Sequence, residues 1–112
     1  MAITSNLVTT TATAIYTAPG TISTDEREYA ITCMIFCNYD TINDVTLDVW
    51  LVPQGLPGIS NTTKIIHELV IPAGETFTFD TEKLVLGTGD RVFVEASAST
   101  RLTSSITSMR VS

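Results

Sequence analysis

The sequence is short of charge, histidine, cysteine and long apolar runs. Charged residues make up 16% of its 112 residues, against about a quarter in an average soluble protein. Apolar residues reach 44%, and the mean hydropathy is +0.27. A chain of this length closes a single core. We therefore expect a well-filled core together with apolar surface that an oligomer covers.

The few charges exclude two classes of partner. Twelve acidic residues against six Lys and Arg give a net charge of −6, and the basic residues form no stripe. Such a surface repels phosphate groups, so we expect neither nucleic acid nor an anionic membrane as a partner. The densest apolar run, Ile31 to Phe36, is only strand-sized. Met1 to Asn6 lacks the features of a secretory signal, so we expect synthesis in the cytoplasm.

Two cysteines and one histidine leave little scope for disulfide or metal chemistry. Cys33 and Cys37 are four residues apart, which in a strand is about 13 Å. A disulfide needs Cα atoms within roughly 7 Å, so these two cannot bridge each other, and we expect both as buried apolar side chains. Together with His67 they are too few to bind a metal.

Catalytic and calcium-binding patterns are also missing. A nucleophile–His–acid triad would have to use His67 with Ser60 or Ser97, but no Gly-x-Ser-x-Gly motif occurs. A second group, formed by Asp40, Asn43, Asp44 and Asp48, lacks the spacing of a calcium loop, and we expect its members to cap turns. The sequence predicts no catalytic residue, no cofactor, no metal and no enzymatic activity.

Short runs rich in Val, Thr, Phe and Leu alternate with turn residues, which is the pattern of strands. We predict strands at 7–16, 29–38, 45–53, 64–71, 76–79, 91–98 and 104–111, a brief one at 82–86, and a hairpin turn with positive φ at Gly87-Thr-Gly-Asp90. Turn signals about every 8 to 12 residues are typical of sandwiches. The predicted fold class is all-β, a single antiparallel, jelly-roll-like β-sandwich of about seven or eight strands over residues 13–112. Residues 1–12 form either an amino-terminal arm or a first strand.

Side-chain alternation assigns faces to two of these strands. In 45–53 it places Trp50 outward, on the more polar face. The strand 29–38 is apolar on both faces, and such a strand is buried on both, inside the domain or against a partner. Its two predicted faces are Tyr29, Ile31, Cys33, Ile35 and Cys37 on one side and Ala30, Met34 and Phe36 on the other. Exposed rings of Trp50, Tyr16, Tyr29 and Tyr39 would instead suit sugar stacking.

Several motifs occur in an order that resembles small β-sandwich virion proteins of tailed bacteriophages. The motifs are Ile15-Tyr-Thr-Ala-Pro19, Ile35-Phe-Cys-Asn38, Val45-Thr-Leu-Asp-Val-Trp-Leu-Val-Pro53, Ile71-Pro-Ala-Gly-Glu-Thr76 and Leu84-Val-Leu-Gly-Thr-Gly-Asp90. The resemblance implies a non-enzymatic structural subunit of the virion, present in many copies and oligomeric.

The leading expectation is a capsid decoration, or cement, subunit that stabilises the head, with a trimer favoured and the major capsid protein as partner. A neck, tail or baseplate subunit of the same virion is the first alternative, and a carbohydrate-binding module the second. Candidate interface residues come from the amino-terminal segment, the doubly apolar strand and the tryptophan: Leu7, Val8, Tyr29, Met34, Phe36 and Trp50.

Overall fold

A computed structural model describes residues 2–80, 84–98 and 100–112. These residues form nine strands and no helix, so the predicted all-β class is confirmed. The strands are β1 (Ala2–Val8), β2 (Thr13–Thr17), β3 (Glu28–Asn38), β4 (Val45–Val52), β5 (Lys64–Ile71), β6 (Thr76–Phe79), β7 (Leu84–Gly87), β8 (Arg91–Ala96) and β9 (Leu102–Arg110). The predicted strand at 82–86 is matched by β7 from Leu84 onward, and residues 82 and 83 lie outside the described part.

The strands form two antiparallel sheets, as a β-sandwich requires. The five-stranded sheet has the order β1-β9-β3-β6, and β7 also pairs with β3. Strand β6 pairs with the second half of β3 and β7 with its first half, so the two short strands lie along the same side of β3. The four-stranded sheet has the order β2-β8-β4-β5.

The core lies between the two sheets and follows from period-two alternation. In β4, Val45, Leu47 and Val49 point inward, and in β8, Val92 and Val94 do so. The five-stranded sheet contributes further fully buried side chains, among them Ile31, Met34, Phe36, Leu102 and Ile106.

The predicted strand 7–16 is wrong, because the chain changes sheets within it. Strand β1 pairs with β9 in the five-stranded sheet, whereas β2 pairs with β8 in the other. Between them, the hydroxyls of Thr9 and Thr13 both donate to the carbonyl of Thr11, at 2.9 and 2.8 Å. Threonine hydroxyls that bond to nearby backbone favour turns over strand pairing.

The predicted faces of β3 are wrong because of a β-bulge. Ile31 pairs with Ser108 and Cys33 with Thr107, which leaves Thr32 as an extra residue. An extra residue reverses the alternation beyond it. Ile31 therefore shares the inner face with Met34 and Phe36, while Cys33 points outward.

The Gly87–Asp90 turn has the predicted positive φ, at Gly89 (87°), but it is not a hairpin. It joins β7 of one sheet to β8 of the other. Asp90 organises this crossover, because its carboxylate accepts hydrogen bonds from the amides of Gly87 (2.9 Å) and Gln54 (2.8 Å).

Candidate interaction surface

The residues considered for catalysis are not assembled into a triad. His67 is exposed on β5, with Nδ1 2.9 Å from Nζ of Lys64 and 3.5 Å from Oδ1 of Asp48. The hydroxyl of Ser97 accepts from the amide of Thr46, and that of Ser60 lies 2.6 Å from the hydroxyl of Thr62. Neither of these hydrogen bonds involves His67.

The acidic group is dispersed, and its carboxylates bond to backbone amides. Oδ1 of Asp40 accepts from the amides of Ile42 (2.8 Å) and Asn43 (3.2 Å), and these bonds hold the pKa of Asp40 below its usual value. Asp44 accepts from the amide of Ala73, and Asp48 from that of Glu68. Among the described residues, no three His, Cys, Asp or Glu side chains are grouped to hold a metal ion.

Trp50 lies on the outer face of the four-stranded sheet, as predicted, but it is only 4% exposed. It lies in register with Phe93 on one side and Lys64 on the other. Nζ of Lys64 is 5.0 Å from the ring centroid, a cation–π distance. The covered ring offers no flat surface for a sugar to stack on.

A small pocket opens beside the crossover turn. It has a volume of about 200 Å³ and is lined by Leu51, Val52, Pro53, Leu86, Asp90 and Arg91. Pockets that bind small molecules usually enclose about 300–1,000 Å³. This pocket is therefore smaller than a usual small-molecule site, and the two outer sheet faces offer larger surfaces for binding.

The six candidate interface residues are divided between the core and the surface. Val8, Met34 and Phe36 are at most 1% exposed and pack in the core of their own chain. Tyr29 is half-buried against that core. Leu7, at 45% exposure, leaves the most surface for a partner. Core burial of Met34 and Phe36 follows from the bulge in β3.

The outer face of the five-stranded sheet carries no charge beyond Glu28, which lies at its end, at the start of β3. Its side chains form four rows across the strands, set by the pairing register. The rows are Leu7, Thr103, Cys37 and Thr76; Ser5, Ser105, Ile35 and Thr78; Ile3, Thr107 and Cys33; and Met109, Ala30 and Val85. We call these fourteen residues the uncharged face. At the usual charged fraction of a protein surface, about 25–35%, four of them would be charged.

Large apolar side chains on this face are open to solvent. Ile3 is 72% exposed, Val85 57% and Met109 42%. The two free cysteines, Cys33 and Cys37, lie half-buried here, so the prediction that both are buried is wrong. Exposed apolar side chains gathered on one face are a feature of interaction surfaces, so this face is the candidate interaction surface.

The opposite outer face is charged. Register places Asp48 beside Glu95, and Arg91 lies on the same side of β8. Lys64 of β5 completes this set, with Nζ 3.5 Å from Oδ1 of Asp48. The two faces of the sandwich therefore differ in chemistry, although both are β-sheets of similar size.

Edge strands of the two sheets differ as well. Strand β5 is irregular in its pairing and contains Glu68 at a φ of 48°, and such features protect an edge from pairing with other chains. Strand β1 pairs regularly with β9 of its own chain from Ala2 to Val8. It brings Ile3 and Leu7 to the border of the uncharged face.

No protein-family model, curated protein or solved structure gave a significant match to this chain. No helix in the described part of the chain is long and apolar enough to cross a membrane.

Proposed function

We propose that this protein is a non-enzymatic structural subunit of a tailed bacteriophage virion, and that it acts as a decoration protein on the capsid. The observation that carries the proposal is the uncharged face, on a chain whose net charge is −6. A subunit that works by association needs such a surface and needs no reactive side chains. The sequence motifs, whose order resembles that of small β-sandwich virion proteins, support a phage virion as the assembly.

A cement subunit stabilises a head by burying surface across the joints between capsid proteins. A specific interface buries about 1,600 Å² in total, and apolar burial contributes about 25 cal/mol per Å². Repeated over many copies, such contacts raise the temperature at which the head opens. The charged face, with Asp48, Lys64, Arg91 and Glu95, remains available for polar contacts with the capsid protein.

A neck, tail or baseplate position in the same virion is the second candidate. The same sandwich and the same uncharged face suit a ring of subunits as well as a head surface. The carbohydrate-binding alternative loses its main support because the ring of Trp50 is covered.

Removal of the gene from the phage that encodes it tests the proposal. We expect particles without the protein to release DNA at a lower temperature than wild-type particles, and purified protein to restore the difference. Normal heads on particles that lack tails would instead favour the neck or tail position. Particles of unchanged composition, assembly and heat stability would overturn the virion proposal.

A further inference from the structure

We propose that the uncharged face is the contact between two copies of this chain, packed face to face around a two-fold axis. The inference deepens the proposed function and rests on its claim that the sandwich works by association. It replaces the trimer expected from the sequence with a pair.

Charge is the first argument for a second copy as the occupant. Each copy carries a net charge of −6, so most approaches of two copies bring like charges together. None of the fourteen residues is charged, and Glu28 lies beyond their last row at the end of the sheet, so contact through them buries no charged side chain of their own. Unpaired buried charges are what make interfaces costly. The charged outer face would place Asp48 and Glu95 of both copies in one contact, so it is the less favourable choice.

Area is the second argument. The face is four strands wide, with neighbouring strands about 4.8 Å apart, and it extends about 27 Å along the strands, so it covers about 500 Å² per copy. Two copies would bury about 1,000 Å² in total, which reaches the lower limit of a specific interface. The face is therefore large enough to hold a pair, and a flat face packed on itself closes with two members.

Self-complementarity is the third argument. The two central strands of the sheet are β9 and β3. A two-fold axis parallel to the strands and midway between these two places each residue of β9 opposite its register partner from β3 of the other copy. Ile35 then lies over Ser105 of the second copy, and Met109 lies over Ala30 of the second copy. Each large side chain meets a small one, as interdigitated sheet packing requires.

The experiment compares the solution mass of three variants with that of the wild-type protein. Ser105→Lys introduces a charge at the centre of the uncharged face, and Val85→Lys introduces one at its border. Val70→Lys is the matched control, because Val70 is 53% exposed and Val85 57%, but Val70 belongs to β5 of the charged sheet. Light scattering coupled to size exclusion gives the masses, and fluorescence of the buried Trp50 confirms that each variant folds.

We expect the wild-type protein and Val70→Lys at about 24 kDa, twice the chain mass of 12.1 kDa, and the two face variants at the mass of one chain. We also expect a thiol reagent to modify Cys33 and Cys37 at least about tenfold faster in Val85→Lys than in the wild-type pair, because the contact covers them. A wild-type monomer, a trimer, or a pair that survives both face variants would overturn the inference.

These outcomes are separable from those that test the virion role. A pair that dissociates as described but is absent from virions would support the contact and contradict the proposed function. A monomeric protein that stabilises phage heads would support the proposed function and contradict the contact between two copies.

Discussion

The hydroxyl of Thr32 lies 2.8 Å from that of Thr107, at the point where β3 bulges against β9. The extra residue lets Ile31 and Met34 both point into the core, although they are three positions apart. The bulge therefore determines which side chains of β3 form the core and which form the uncharged face.

Deletion of Thr32 should be tolerated. Without it, Ile31 and Cys33 become neighbours on a regular ladder, and every later side chain keeps its face. We expect a loss of about 1–2 kcal/mol in the free energy of unfolding, from the lost hydrogen bond and local adjustment. Deletion of Ile35 is the control, because it reverses the faces beyond it and should prevent folding. Chemical denaturation of both variants checks this, and a folded Ile35 deletion with an unfolded Thr32 deletion would contradict the account.

Replacement of Asn38 should be among the costly changes. Its side chain is fully buried, with Nδ2 donating to the carbonyls of Ile71 (2.9 Å) and Asn43 (3.0 Å) and Oδ1 accepting from the amide of Asp40 (3.0 Å). Asn38→Leu leaves these backbone groups without partners, so we expect a loss of about 2–4 kcal/mol. Urea denaturation measures it. Asn61→Leu, in an exposed turn, should change stability by less than about 0.5 kcal/mol, and equal effects would contradict the assignment.

Gly20 should be much less replaceable than Gly55. Both have positive φ, 125° and 94°, so alanine strains either position by about 1–2 kcal/mol. A Cβ at Gly20 would also clash with the hydroxyl of Thr88 and lie 2.5 Å from the carbonyl oxygen of Asp25. Thr88 cannot easily move, because its hydroxyl accepts from the amide of Arg27 at 2.6 Å.

We therefore expect Gly20→Ala to cost about 3 kcal/mol or more, adding overpacking of about 1–3 kcal/mol to the strain. Gly55→Ala, with open space around its new Cβ, should lose only the strain. Thermal denaturation of the two variants measures the difference, and equal melting temperatures would mean that the Gly20 turn is looser than described.

Asp40 should make stability depend on acidic pH. The amides of Ile42 and Asn43 lower the pKa of its carboxyl group from 3.8, and Arg101 adds a smaller contribution. Because this pKa is lower in the folded than in the unfolded protein, the ionised carboxylate stabilises the fold fully when the pH is above the pKa of the unfolded state. The stabilisation is lost as the pH falls through the pKa of the folded state. Asp40→Asn should therefore be less stable than wild type at pH 7, and the gap should close below about pH 3.8.

Melting temperatures measured from pH 7 down to pH 2 test this expectation. Arg101→Gln is the control, and it should retain most of the pH dependence because the backbone amides dominate. A gap between Asp40→Asn and wild type that stays constant across the range would contradict the assignment.

Local patterning predicted most of the strands. The alternation around Leu47 and Val49, and the turns at Pro72 and Gly89, specified elements that the structure contains. Three features depend on long-range pairing, which local patterning does not contain. They are the change of sheet between β1 and β2, the bulge at Thr32 and the covering of Trp50 by residues of two other strands.

The uncharged face was missed for the same reason. Its rows combine residues as distant in sequence as Ser5 and Ser105, and only the register brings them together. The signal that could have revealed it was the scarcity of charge at the outward positions of the first, third and last strands, where Glu28 is the exception, once the bulge in β3 is allowed for.

Mass spectrometry of purified, nuclease-treated virions tests the central claim most directly. We expect the protein to be an integral component, present in many copies per particle and retained through density-gradient purification. Its absence from particles, while it accumulates in infected cells, would contradict a structural role in the virion.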